Sequence, residues 1–251
     1  MFRRLILSAV FVGILSGVIF SAAQHFTITP ILLASEVFEQ DEPGEAHQHH
    51  HGDMAMAAVE ATPEWAPSDG IERSSYSAGA NILAAIGFSS IFLVIMSQLV
   101  LRQKVELNVK VGVLSGLLAY AVFFVIPSLG LPPEIPGSSA DLLKNRQSWW
   151  LMAVVAGAFA ALVIIFAPLK YKALGLVSVA VPFIIGAPHY DGPMFNHPDP
   201  QAVASLEALH QQFVVATGLS NLIFWLVLGL AATLLLKVWV YRQPATKLAN
   251  D

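Results

Sequence analysis

A chain of 251 residues that is 56% hydrophobic and only 12% charged, with a mean hydropathy of +0.66, is too apolar for an ordinary water-soluble domain and belongs in a bilayer. Its formal net charge of −4 is small, yet acids and bases are strongly segregated along the chain. There is no cysteine, which excludes a disulfide framework and a thiolate metal site. Any metal must be held by His, carboxylate, Met or backbone oxygen.

Taken in order, Arg3 and Arg4 precede an apolar run over residues 5–26, long enough to cross a hydrocarbon core of about 30 Å. The competing reading is a cleaved signal peptide, because Ser21-Ala22-Ala23 resembles a small-residue cleavage site. The run continues to Phe26, beyond a usual signal core, and favours a retained span. Gly13 and Gly17 provide the small-residue spacing of closely packed membrane helices.

Residues 27–77 change character completely. Ten carboxylates face a single Arg73, and Pro63 and Pro67 interrupt any long helix, so an acidic, flexible aqueous loop is expected. Only residues 30–38, with Ile31, Leu32, Val37 and Phe38, have the makings of a short interfacial helix. Within the loop, residues 45–56 collect four imidazoles (His47, His49, His50 and His51), Glu45, Asp53, Met54 and Met56. Imidazole suits zinc, copper, nickel and cobalt, and thioether leans toward copper(I). The bland alternatives are a low-complexity His tract or an expression tag. An internal, interrupted tract flanked by acids points instead to metal capture.

Further spans are expected at 78–101, 111–129, 149–167, 173–187 and 213–236. Trp149-Trp150 reads as an interfacial anchor. The 173–187 run is short and contains Gly175 and Pro182, so it either spans with help from neighbours or is re-entrant. The fold class expected is an all-α integral membrane protein, about six transmembrane helices in three hairpins forming a single membrane domain, with a flexible His- and acid-rich outer loop. Residues 12–18 and 111–117 also look alike, as in a repeat.

Charge decides the expected topology. With six spans and a cytoplasmic N-terminus, ten of the thirteen Lys and Arg lie inside, and only Arg73, Lys144 and Arg146 lie outside. Fifteen of the seventeen acids, and all eight histidines, then fall on or near the outer face. That face would attract cations.

Several further groups are candidate ligands or path residues. His189 and Asp191, which follow the short Pro-interrupted run, would form an entrance at the bundle mouth, with His25 as their partner from another helix. Backbone carbonyls freed around Pro182 would supply deeper oxygen ligands. His197, and Glu207 with His210 if residues 203–212 are helical, complete the metal candidates. The alternative for this last group is a solvated polar face. Gln24, Asn81, Gln98 and Asn221 either line a path or hydrogen-bond between helices. Arg146 either snorkels or orients an outer carboxylate such as Glu134.

Together, the basic pair Arg3-Arg4, the Gly13/Gly17 helix ending in Gln24, residues 30–36, the Pro-Pro-Glu-x-Pro-Gly at 132–137, Arg146-Gln147-x-Trp149-Trp150 and Asn221-x-x-Phe224-Trp225 resemble the CbtA family of predicted cobalt transporter subunits. The resemblance runs across nearly the whole chain, and the order of the motifs carries it. Ala34-Ser35-Glu36 stands where the family usually has Ala-Glu. The resemblance implies a transporter subunit for cobalt uptake feeding corrinoid synthesis, in a bacterial cytoplasmic membrane, beside a small one-span partner with a His-containing tail. The transported ion would be Co2+, with Ni2+, Cu or Zn2+ as alternatives.

There is no P-loop, no His-Glu-x-x-His helix and no Gly-x-Ser-x-Gly elbow, and nothing points to nucleic acid. A non-enzymatic role is expected. The alternatives from other classes are a membrane-bound metal-dependent enzyme using His189, His197 and His210, or a copper- or nickel-handling or sensing protein using the His/Met loop.

Overall fold

Apolar runs placed in hydrocarbon must satisfy their own backbone N–H and C=O groups, and coiling into helices is how a single segment does so. In the computed structural model, which describes residues 2–40, 67–68 and 70–241, they form α1 (Phe2–Thr27), α2 (Thr29–Gln40), α3 (Ile71–Leu101), α4 (Val109–Ser128), α5 (Leu143–Phe166), α6 (Lys172–Ile185) and α7 (Pro200–Val240). The described residues contain no sheet, only an isolated bridge between Ser138 and Phe195. The all-α class is therefore as expected. Five helices, α1, α3, α4, α5 and α7, are long and apolar enough to cross a membrane. The sixth expected span is the 14-residue α6, about 21 Å long.

Three helices start well before the apolar runs that defined the expected spans, at Ile71, Leu143 and Pro200. For α7 the cause is local. The Asp199 carboxylate accepts the Gln201 N–H at 2.9 Å and Pro200 occupies the first turn, which is the signature of a capped helix start. Residues 200–212, read from sequence as part of a polar loop, are thus continuous with the apolar span that follows. The α-helical part of α7 has 36 residues, about 54 Å, far more than a core of about 30 Å requires.

α7 is the central element, packing against α1, α2, α3 and α4. α1 lies along α3, and α5 along α6. The expected three hairpins are only partly realised, because α4 pairs chiefly with α7, while α6 packs on α5 instead of on α7, its successor in the chain. α5 meets α4 where the latter contains a π-helical turn at Ala121–Val125, with Gly157 against Val122 and Ile126. The wider i→i+5 turn takes one extra residue, which shifts the face that α4 presents beyond it.

The small-residue pattern explains who pairs with whom. A Cβ at Gly13 or Gly17 would stand 2.5 or 2.7 Å from the Cα of Ile86 or Ile82 on α3. On the other side, a Cβ at Gly116 would lie 2.5 Å from the Trp225 carbonyl, and one at Gly229 would lie 2.5 Å from the Gly112 carbonyl. Close approach lets polar groups reach across: the Ser89 hydroxyl donates to the Ala9 carbonyl at 2.6 Å. Between these backbones Phe20, Phe88, Phe123, Phe224 and Trp225 interlock edge to face and stacked.

The helices run between two chemically different ends. At one, Arg4 donates to the Trp239 carbonyl at 3.0 Å and the Ser97 and Tyr241 hydroxyls are 2.7 Å apart, joining the start of α1 to the ends of α3 and α7. The helix directions bring Arg102, Lys104, Lys110, Lys170, Lys172 and Lys237 to this basic end. At the opposite, His-bearing end, Ile28, Ile135, Phe195, Leu206 and Phe213 form a second core, against which Ile31, Leu32 and Phe38 of α2 pack.

The glycine contacts make a direct test. Gly229→Val should force α4 from α7 and lower thermal stability in detergent by about 1–3 kcal/mol, the usual cost of overpacking. Gly87→Ala, where a Cβ meets open space, should leave the melting temperature unchanged or raise it slightly. Equal melting behaviour of the two variants would contradict this packing.

Candidate functional site

The five loop candidates His47, His49, His50, His51 and Asp53 lie outside the described residues. The remaining histidines all gather at the His-bearing end, but in different places. His25, at the last turn of α1, is exposed and lines a groove of roughly 810 Å³ between α1, α2 and the start of α3. Gln24 and Asn81 meet in this groove, the Asn81 amide donating to Gln24 Oε1 at 2.6 Å and to Ser21 Oγ at 3.1 Å. Interhelical hydrogen bonding is therefore what these two polar residues do. Asn221 donates to the Thr217 carbonyl of its own helix at 3.0 Å, and Gln98 is exposed. Above the groove, Arg73 grips both oxygens of Glu36 and ties α3 to α2.

His189 lines a different cleft of roughly 600 Å³, between the start of α5 and the end of α6, with Asp141, Asn145 and Trp149. Its Nε2 is 3.2 Å from Asp191 Oδ1, but the two side chains are 81% and 94% exposed. The pair expected from sequence is thus present as a surface pair, and His25, expected beside it, belongs to the other groove. The Pro182 carbonyl, one of the expected oxygen ligands, already accepts the Trp149 indole N–H and the Gly186 N–H, each at 3.1 Å. Trp149 itself is buried, while Trp150 is the exposed member of the pair.

His197 accepts the Asp199 N–H on Nδ1 at 3.0 Å and rests edge-on against Phe38 of α2. One of its two nitrogens is therefore committed to the turn that starts α7. Glu207 and His210 do share a helix, but Glu207 is exposed whereas His210 turns inward, its ring edge-on to Phe195 at 6.2 Å. The charge of His210 acts on another carboxyl, that of Glu134.

Glu134 sits in the loop after α4, held beside the buried Ile135, and is paired with Arg146 in the first turn of α5. Burial raises its pKa above the ordinary carboxylate value, and the charges of Arg146 and His210 oppose that rise. Two buried atoms of this cluster, Arg146 Nε and His210 Nδ1, have no hydrogen-bond partner. Leaving a buried polar atom unpaired costs about 1–3 kcal/mol, so such atoms require an explanation. Sequence reading named Glu134 only as a partner for Arg146. The influence of His210 on it depends on Ile135 and Phe195 packing against Leu206 and Phe213, which no local signal announces. Among the described residues, no three His, Asp or Glu side chains come together as a metal site.

A bundle of long apolar helices with polar clefts and histidines gathered at one end, and bases at the other, is the build of a helical membrane protein. A family profile described as "Probable cobalt transporter subunit (CbtA)" matches residues 2–237, and the chain belongs to that family. No curated protein and no solved structure matches it.

The raised pKa of Glu134 gives a signed expectation. A carboxyl whose folded pKa lies above its unfolded value adds stability below the unfolded pKa, and that contribution is lost as pH rises through the folded pKa. Wild type should therefore gain stability relative to Glu134→Gln as pH falls through the raised folded value toward the ordinary carboxylate range. Infrared difference titration should show a protonated carboxyl persisting above the ordinary range, absent in Glu134→Gln and shifted higher still in Arg146→Gln. An ordinary carboxylate midpoint would contradict the burial of this group.

Proposed function

We propose that the chain is the membrane subunit that carries a divalent transition-metal ion, cobalt first, inward across a bacterial cytoplasmic membrane. The observation that supports this most is the family match over residues 2–237. Cobalt is the substrate, and nickel, copper or zinc are competitors that the same donor types would bind. The word "subunit" in the family description implies a partner in the complex, and a small one-span protein with a His-bearing tail suits that role.

The orientation proposed has the basic end and both termini in the cytoplasm and the His-bearing end outside, by the positive-inside rule. Six crossings of a single membrane domain accord with α6 running antiparallel along α5: Gly175 meets Ala160 and Val163 near the end of α5, and Pro182 reaches Trp149 near its start. Residues 27–77 would then be the outer loop, in which His47, His49, His50, His51 and Asp53 collect ions in exchanging arrangements. His25, His189, Asp191, His197, Glu207 and His210 would offer ligands at the mouth. Inward movement of a dication gains about 4.6 kcal/mol per 100 mV, twice the roughly 2.3 kcal/mol for one charge. The membrane potential suffices as a driving force without nucleotide hydrolysis.

Two measurements test this reading. Single cysteines placed at Tyr190 and Lys104 should differ in intact cells, Tyr190→Cys reacting with an impermeant thiol reagent and Lys104→Cys reacting only after permeabilisation. Labelling of Lys104→Cys from outside would reverse the topology. Replacing His47, His49, His50 and His51 with Ala should raise the cobalt concentration needed for half-maximal uptake while leaving the maximal rate largely intact. Mild acidification should do the same to wild type, because protonated imidazole does not ligate and ordinary His titrates near pH 6.5. Unchanged uptake at limiting cobalt would remove the capture role.

A further inference from the structure

The chain leaves α6 at Gly186, whose φ of +97° is a conformation that residues bearing a Cβ rarely adopt. Its N–H returns to the Pro182 carbonyl at 3.1 Å, the same carbonyl that takes the Trp149 indole N–H, so the end of α6 is fastened to the start of α5. Between them lies the cleft of roughly 600 Å³, lined on the α6 side by Ala187, Pro188 and His189 and on the α5 side by Asp141, Asn145 and Trp149. No Lys or Arg lines it. Glu36 and Glu134, at the same end of the bundle, are each neutralised by a guanidinium. The Asp141 carboxylate instead accepts the Leu142 N–H at 2.7 Å and the Asn145 amide at 3.2 Å, two uncharged donors. Those bonds leave about half of its lone-pair positions open.

His189 completes the geometry. Its Nδ1 lies 3.4 Å from the Ala187 carbonyl, which only accepts, so the hydrogen of the neutral imidazole belongs on Nδ1 and Nε2 keeps its lone pair. That nitrogen is 3.2 Å from Asp191 Oδ1. Two electron-rich atoms held this close call for a positive centre, and a proton or a metal ion supplies one. A ring whose other N–H is directed at a backbone carbonyl is the usual state of a metal-binding histidine. The spacing also suits an ion. Ligands bonded at about 2.0–2.2 Å stand about 2.9 Å apart at an octahedral centre and about 3.4 Å apart at a tetrahedral one. With side chains 81% and 94% exposed, the pair is reached directly from water. Six waters fill about 180 Å³, so the cleft beside the pair admits an ion with its hydration shell.

We infer that His189 Nε2 and Asp191 Oδ1 chelate a divalent transition-metal ion at the mouth of the α5–α6 cleft, with the Asp141 carboxylate accepting hydrogen bonds from the waters that complete its coordination. Two protein ligands and a water shell make release fast, which suits a stop on a route better than a store. This inference rests on the transport reading for its purpose and singles out one site among the ligands proposed at the mouth. The site itself is defined by binding.

The test is Co2+ added to the purified full-length protein in detergent, read by quenching of a fluorophore on Lys144→Cys, an exposed position in the first turn of α5 next to Asn145 of the cleft. The chain has no other cysteine. The parent also carries His47, His49, His50 and His51 changed to Ala, so that the loop does not contribute. His189→Gln and Asp191→Asn should each raise the half-quenching Co2+ concentration by more than tenfold, with the parent's melting temperature kept, because both side chains are at the surface. Asp141→Asn should raise it by about tenfold, the low end of the losses when an outer partner of a metal site is removed. Mg2+, which does not favour imidazole, should fail to compete. Parent-like quenching in His189→Gln or Asp191→Asn, or displacement of Co2+ by an equal concentration of Mg2+, would reduce the cleft to a general cation-attracting surface and overturn the chelate. A chain that binds Co2+ here yet imports none would leave the site standing and contradict the transport reading, whereas cobalt import with parent-like quenching in both variants would do the reverse.

Discussion

The close approach of α4 to α7 is the contact on which the rest of the molecule depends. Gly112 and Gly116 face Gly229 and the backbone of Trp225; an added carbon at Gly116 or Gly229 would lie 2.5 Å from a backbone oxygen, and one at Gly112 would lie 3.2 Å from the Gly229 carbonyl. In a bilayer, where lipid is as apolar as the side chains, helices gain little by hiding Leu from Leu, and backbone proximity with tight van der Waals contact supplies the association. Because α7 is fixed this way along α4 and is also held by α1, its polar first turns are projected to one end of the bundle. The loop after α4 and the helix α2 then close over that projection through Ile28, Ile135, Phe195, Leu206 and Phe213. The inward placement of His210 against Phe195 is a consequence of helix packing some distance away.

Much of this was legible in residue order. The apolar runs, the small-residue spacings at Gly13/Gly17 and Gly112/Gly116, and the segregation of charge all correspond to features of the fold, because each follows from what hydrocarbon tolerates. The partner of each glycine face was not legible. Gly112 and Gly116 identify a contact surface but not α7 as the helix that fills it, and the pairing of α4 with α7 breaks the simple succession of hairpins. The start of α7 was available locally, in the cap and proline at Asp199-Pro200, but the polarity of the following residues made a loop the natural reading.

The site was less legible than the fold. Residue type and position after the Pro-interrupted run directed attention to His189 and Asp191, with His25 as partner, yet the structure leaves all three exposed and sets His25 and His189 in two separate clefts. Trp149 illustrates the same limit: a tryptophan pair at a span boundary reads as an interfacial anchor, yet the first of the pair is buried and donates to Pro182. Sequence records which chemistry is present at an end of the bundle, and tertiary contacts decide which groups share a cavity. Glu134, set among prolines, is legible only as a partner for Arg146, and the inward turn of His210, away from the exposed Glu207, is a tertiary outcome.

The account joins a helix bundle, a polar end rich in imidazole and carboxylate, and membership of a cobalt-transporter family into one claim, that the chain takes up cobalt. The most direct measurement is accumulation of radioactive cobalt at limiting external metal in the native host, where any partner subunit is present, before and after deletion of this chain. The account predicts that deletion lowers accumulation, that the wild-type chain restores it, and that collapsing the membrane potential abolishes the restored part. Equal accumulation with and without the chain would contradict it.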